Sequence, residues 1–151
     1  LERREPLFPA IQEYAVRFVI VFLAFCGIVV ASLALRVHYS TDVEPCDINA
    51  KWDCGIVNHS RFAEIAHVPV AAVGIAGYAL LGVLAWARFN RLLLAGSLLG
   101  LVFALYLTHI EADLLRVWCL YCVISQGVIA LIAIGSVIVA LTARRRSATL
   151  Q

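Results

Sequence analysis

The sequence predicts an all-α membrane protein: a four-transmembrane-helix up-down bundle whose first connection is a long loop with a short amphipathic capping helix. Three observations predict it. Of 151 residues, 63% are hydrophobic and 15% charged, with a mean hydropathy of +0.92, whereas an ordinary soluble domain carries about 25% charged residues. Four apolar runs approach the roughly 20 residues that cross a bilayer. Two of the three connections between them are so short that their neighbours must be antiparallel. The length suits a single domain over residues 1–151, and no basic cluster interleaved with aromatics points to nucleic acid. The chain starts at Leu1 and has no methionine, as expected of a processed or trimmed product, and its charged head, Leu1 to Gln12, lacks the pattern of a signal peptide.

The first span is read at Phe18 to Leu35, free of charge. The second runs from Val68 to Ala87 and opens with Pro69, which a first helical turn tolerates. The third is Leu92 to Ile110. The fourth, Val117 to Leu141, is long enough to tilt or to project a turn. Residues 88–91 and 111–116 are short links, whereas residues 36–67 form the long loop. Gly74, Gly77, Gly82, Gly96, Ser97 and Gly100 would let the second and third spans approach closely.

An even number of spans puts both termini on one side. That side collects Arg3, Arg4, Arg17, Arg88, Arg91, Arg144, Arg145 and Arg146, eight of the twelve basic residues. The other holds Asp42, Glu44, Asp47, Asp53, Glu64, Glu111 and Asp113, seven of the ten acids. The positive-inside rule then sets both termini in the cytoplasm and the long loop outside. The expected location is the inner (cytoplasmic) membrane, with the loop facing the periplasm or exterior.

Four of the five cysteines, Cys46, Cys54, Cys119 and Cys122, fall on the outer side, where disulfides form and persist. Cys26 lies mid-span and is read as a small apolar core residue. Cys119-Leu-Tyr-Cys122 opens the fourth span, so its sulfurs share one helix face, with Cys122 roughly 4.5 Å deeper than Cys119. A redox pair there could take electrons from a water-soluble dithiol and pass them to an acceptor in the membrane. Cys119, read in the first helical turn, would be stabilised as a thiolate by free N–H groups and the helix dipole, with Glu111 and Asp113 opposing. Cys46 and Cys54, if bridged, would close a small loop worth about 2.5 kcal/mol in the chain-entropy model. Two readings of another class stand beside redox: a structural subunit stapled by two disulfides, or a four-thiolate zinc site. Zinc knuckles usually space their cysteines more tightly than Cys46 and Cys54, and no metal is expected.

The loop is polar and irregular to Asp53. From Gly55 to Ala66 a helical spacing groups Ile56, Phe62, Ala63 and Ala66, with Asn58, Arg61 and Glu64 mostly turned away. We read a short helix on the outer membrane surface, holding Cys54 above Cys119 and leaving Cys46 mobile and exposed. His38, His59, His67 and His109 are read as solvated or interfacial rather than as proton relays.

These residues together resemble the vitamin K epoxide reductase family. The features that carry the resemblance are the loop pair Cys46 and Cys54, Ser60 six residues further on, and four spans with Cys119-x-x-Cys122 opening the last. The stretch Asp53-Cys54-Gly55-x-Val57-Asn58-x-Ser60 and the start of the second span are most similar to bacterial members. The resemblance covers residues 16–142 and implies a four-helix bundle around a quinone of the ubiquinone, menaquinone or vitamin K type. It implies that Cys46 exchanges with a thioredoxin-like protein, that Cys54 relays electrons to Cys119, and that Cys122 faces the quinone, with Ser60 near the site. Val70 stands where the animal enzymes have a quinone-binding asparagine, and Gln126 where they have a tyrosine. Many bacterial members carry a fused thioredoxin-like domain; none is present in this sequence, so the expected partner is a separate carrier or a domain that was trimmed away. The implied activity is quinone-dependent dithiol oxidation; the alternative within the family is reduction of vitamin K quinone or epoxide as the main activity.

Overall fold

The computed structural model describes residues 7–42 and 45–149, with side chains from 11 to 144. Arg3, Arg4 and Glu44, used in the charge argument, lie outside the described residues, as do the side chains of Arg145 and Arg146. The elements in order are α1 (Leu7–Tyr39), α2 (Cys54–Asn58), a two-stranded hairpin of β1 (Glu64–Ile65) and β2 (Val68–Pro69), α3 (Val70–Trp86), α4 (Asn90–His109), a π-helical turn (Ile110–Leu115) and α5 (Leu120–Thr149).

Among the described residues, three helical segments are long and apolar enough to cross a membrane: Ile11–Tyr39, Asn90–Leu115 and Leu120–Arg144. The fourth apolar helix, α3, has 17 residues, about 25 Å at the usual rise, a little short of a 30 Å hydrocarbon core. Outward faces are apolar: Phe18 is 73% exposed and Leu99 72%. Buried residues such as Ile20, Ala24, Leu81, Leu93 and Ile132 form the common core. Large apolar side chains pointing outward in such numbers suit a lipid solvent.

α1 packs along α3 and α5, and α4 along α5. Small residues set the closest approaches: a Cβ on Gly82 would lie 3.4 Å from the Cβ of Ala24. Gly27 goes further, because a Cβ there would come within 2.5 Å of the Tyr78 ring. The Tyr78 hydroxyl meets Ser125 across the bundle, donating to its carbonyl oxygen at 2.8 Å. At the other end, buried Arg17 of α1 donates to the Ala85 carbonyl at 3.0 Å and to Asn90 Oδ1 at 2.5 Å, and pairs with Glu13 at 2.9 Å. One guanidinium thus ties α1 to the α3–α4 turn. That turn closes as a Schellman motif, with Phe89 N–H donating to the Leu84 carbonyl at 3.1 Å and Arg88 left-handed at φ 63°.

The loop departs from expectation. The helix read over Gly55–Ala66 stops at Asn58. It starts where Asp53 accepts the Ile56 N–H at 2.8 Å, and it ends where the Ser60 hydroxyl takes the Val57 carbonyl at 2.8 Å, closing a turn in place of another helical one. The chain then returns through the hairpin, whose two-residue loop puts Ala66 at φ 50° and His67 at φ 66°. Two left-handed residues are what a tight hairpin requires, but Asn-Gly is the usual pair, so the sequence carries no turn signal. Ile56, assigned to the helix's apolar side, is 51% exposed.

Gly27→Ala should destabilise the bundle by about 1–3 kcal/mol through overpacking, because the aromatic ring it meets cannot swing aside as a flexible chain end would. Thermal unfolding in detergent checks this.

Candidate functional site

The long loop is fastened across the start of α5. Trp118 N–H donates to the Lys51 carbonyl at 2.9 Å, and Asp53 N–H donates to the Trp118 carbonyl at 3.1 Å. The Trp52 and Trp118 rings lie against each other at 6.3 Å. This short parallel bridge holds the residue before Cys54 beside the residue before Cys119, so both cysteines enter one buried cluster. Cys54 and Cys119 are 0% exposed, and Val37, Val57 and Cys46 pack with them. Cys122 packs against the same cluster.

Cys46 and Cys54 form a disulfide with Cα atoms 5.8 Å apart, while Cys119 and Cys122 are free thiols. Cys46 was expected to be mobile and exposed; instead it is 2% exposed, because the disulfide draws it under the loop and against Val37. Cys119 was expected inside the first turn of the fourth span. It stands one residue before α5, its carbonyl accepting the Val123 N–H at 3.1 Å, which makes it the residue that caps the helix. Cys26, read as core, is half-buried on α1.

Two polar side chains flank Cys119: Asn58, expected to turn away, and Glu111, expected to oppose the thiolate. Buried Asn58 donates its amide to the Cys54 carbonyl at 2.9 Å and to Cys119 Sγ at 3.5 Å. Glu111, 3% exposed on the π-helical turn, accepts the Cys119 N–H at 3.2 Å. Cys119 lies one residue outside the apolar span that begins at Leu120. The hydrogen bond from Cys122, helped by backbone N–H groups at Cys122 and Tyr121, holds its thiol below the ordinary thiol range, against burial and the Glu111 charge. Asp113, expected to oppose the thiolate as well, is instead exposed and paired with His109 at 2.5 Å.

His38 is expected to be solvated or interfacial. Its ring is instead wedged between loop and bundle, with Nδ1 2.6 Å from the Asn58 carbonyl and Nε2 3.3 Å from Glu64. His59 and His67 are exposed. Asp47 lies with both loop sulfurs, all three ligand atoms within 4.8 Å. The sulfurs are bonded to each other, however, and Asp47 Oδ1 accepts the Gly55 N–H at 3.2 Å. In this state the group is a disulfide rather than a set of thiolate ligands.

Below the cluster a cavity of about 550 Å3 opens between the helices, within the usual 300–1,000 Å3 of small-molecule sites. Its wall is mostly apolar, with Leu99, Phe103 and Ile129, and Gly77 faces open space there. Cys122, Ser60 and Val70 all line it. Gln126 does not; its side chain is engaged by Thr108, which does.

Apolar helices of membrane-crossing length, with two cysteine pairs gathered over an apolar cavity, define a membrane redox protein of the thiol–disulfide class. The chain belongs to the vitamin K epoxide reductase family, whose model matches residues 18–137, a stretch that holds all four clustered cysteines. A search of the curated proteins returns no match.

Asn58→Ala removes the donor shared by Cys54 and Cys119 and should cost about 1–3 kcal/mol, measured by unfolding of the oxidised protein. Asn58→Asp sets a negative charge against the sulfur and disfavours its ionised form. The pH profile of Cys119 modification by a small methanethiosulfonate, read by mass spectrometry, should therefore move upward.

Proposed function

We propose that this protein is a quinone-dependent dithiol oxidase of the cytoplasmic membrane, keeping a separate thioredoxin-like carrier on the outer side disulfide-bonded. The observation that carries this reading is the position of Cys122: it lies on the wall of an apolar cavity and also packs against the buried cluster that holds the other three cysteines. Four spans with both termini in the cytoplasm form the frame. The three long segments and the shorter α3 are compatible with it, and the arginines of the α3–α4 turn favour the inner side.

The cavity's chemistry fits a quinone headgroup. Its walls are apolar, Gly77 leaves open space in them, and Asn58, Ser60, Thr108 and Tyr121 bring polar atoms to its lining. Val70 offers none, and Gln126 is turned to Thr108, so hydrogen bonding to the acceptor falls to other residues than in the animal enzymes. A quinone bound there supplies a two-electron acceptor.

The chain's own part is a sequence of disulfide exchanges. The carrier's thiolate attacks Cys46, forming a mixed disulfide and freeing Cys54. Cys54 attacks Cys119 of an oxidised Cys119–Cys122 pair and releases Cys122 as a thiolate facing the cavity. The carrier's second thiol then closes its own disulfide and releases Cys46. Cys46 displaces Cys119 from Cys54, restoring the loop disulfide and leaving Cys119 and Cys122 as the pair to be oxidised. The arrangement in the structure, a loop disulfide above two free thiols, corresponds to that last stage. Leaving-group stabilisation sets the rates, and the Asn58 amide beside Cys119 serves it. Because Cys46 is buried, the carrier must displace part of the loop to reach it.

Cys122→Ala should abolish quinol formation while leaving the loop disulfide open to exchange with a soluble dithiol. Cys54→Ala should accumulate a Cys46 mixed disulfide with the carrier on a non-reducing gel. Unchanged quinol formation in Cys122→Ala would overturn the reading.

A further inference from the structure

The proposed reaction moves two protons as well as two electrons, and they must cross an apolar wall. Closing the Cys119–Cys122 bond breaks two S–H bonds. The electron pair and both protons then pass to a quinone-class acceptor, whose two carbonyls become hydroxyls. Cys119 sits at the rim beside the loop, whereas the Cys122 proton is released against the cavity. Among the described residues that line it, Glu111 is the one carboxylate. It is 3% exposed, and it is fixed rather than loose: its carboxylate accepts the Cys119 N–H at 3.2 Å, and Cys122 lines the same cavity.

The backbone explains how an acid reaches this place. Regular α-helix ends at His109, and the wider π-helical turn over Ile110–Leu115 follows. Such turns mark functional sites in many helices. Here the turn sends Glu111 inward, while Asp113 stays outside on His109. A carboxylate this close to hydrocarbon is costly and is functional by default. Its hydrogen bond to one backbone N–H leaves acceptor capacity free for the thiol.

We propose that Glu111 is a catalytic residue, the base that takes the Cys122 proton as the Cys119–Cys122 disulfide closes and returns it to the acceptor in the cavity. This rests on the oxidase reading and names the proton carrier within it. The titratable groups facing Glu111 from the start of α5 are Cys119, whose backbone N–H it accepts, and Cys122, which lines the same cavity. Tyr121 of α5 and Tyr78 of α3 share its cavity, and His109 and Asp113 flank it on its own segment.

The test compares wild type with Glu111→Gln and Glu111→Asp, all fully reduced, in two rapid-mixing reactions. One uses a short-tailed ubiquinone analogue and follows quinol. The other uses diamide and follows closure of the Cys119–Cys122 bond by mass spectrometry, with no quinone present. Glu111→Gln should slow both by about 100-fold or more, the usual span of general base catalysis. The loss should recede as pH rises and hydroxide takes over, and the Asp variant should regain part of the rate. Opening of the Cys46–Cys54 disulfide by a soluble dithiol should stay within about twofold, as expected of a step that does not involve the base. If Glu111→Gln fails to fold, dicyclohexylcarbodiimide on the wild type replaces it: modification of Glu111 should track loss of both rates. Equal rates in wild type and Glu111→Gln, or full rates in carbodiimide-modified protein, overturn the assignment alone. A wild type that closes its disulfide with diamide but makes no quinol overturns the oxidase reading, and with it the return of the proton to a quinone.

Discussion

The site depends on one short piece of backbone pairing. Residues 51–53 of the loop lie parallel to residues 117–118 at the start of α5, joined by hydrogen bonds of 2.9 and 3.1 Å. Without that register a loop of some thirty residues could put its disulfide anywhere over the outer rim. With it, the residues before Cys54 and Cys119 are neighbours, and both sulfurs share one dry cluster. Disulfide exchange needs a sulfur within reach of another sulfur, so the pairing is the physical condition for the proposed relay between the two cysteine pairs. It is reinforced from the other side, where His38 of α1 meets the Asn58 carbonyl and Glu64. The loop is therefore held at both of its ends.

Beneath the loop the bundle solves a different problem. Its helices show large apolar side chains to the outside and close on an equally apolar core around Ile20, Leu81, Leu93 and Ile132. Gly77 faces open space and keeps part of the interior unfilled, and the Tyr78–Ser125 contact braces α3 against α5 beside that space. The packing that stabilises the helices thus also maintains the cavity. The same cavity adjoins the cysteine cluster, and Cys122 and Glu111 line it.

The parts legible in the sequence were those written in local patterns. Long apolar runs gave the four helices, and arginines between them marked the α3–α4 turn. The spacing of Cys46, Cys54, Cys119 and Cys122, with Ser60, gave the family. What stayed hidden was set by contacts distant along the chain. Nothing in Lys51–Asp53 announces a partner sixty residues away. The hairpin turn uses Ala66 and His67 in left-handed conformations without glycine or asparagine, so the segment reads as a continuing helix. Asn58 looks like a polar face residue until the fold brings Cys119 to its amide. Glu111 was visible as an acid at the end of an apolar run, but only the π-helical turn decides that it points inward and Asp113 outward.

The most direct measurement is a thiol count on the fully reduced protein before and after adding excess quinone without oxygen. The account predicts that the five thiols fall to one, the remaining thiol being Cys26, as Cys119–Cys122 closes first and the loop pair then discharges through it. A count that stays at five in the presence of quinone would contradict it.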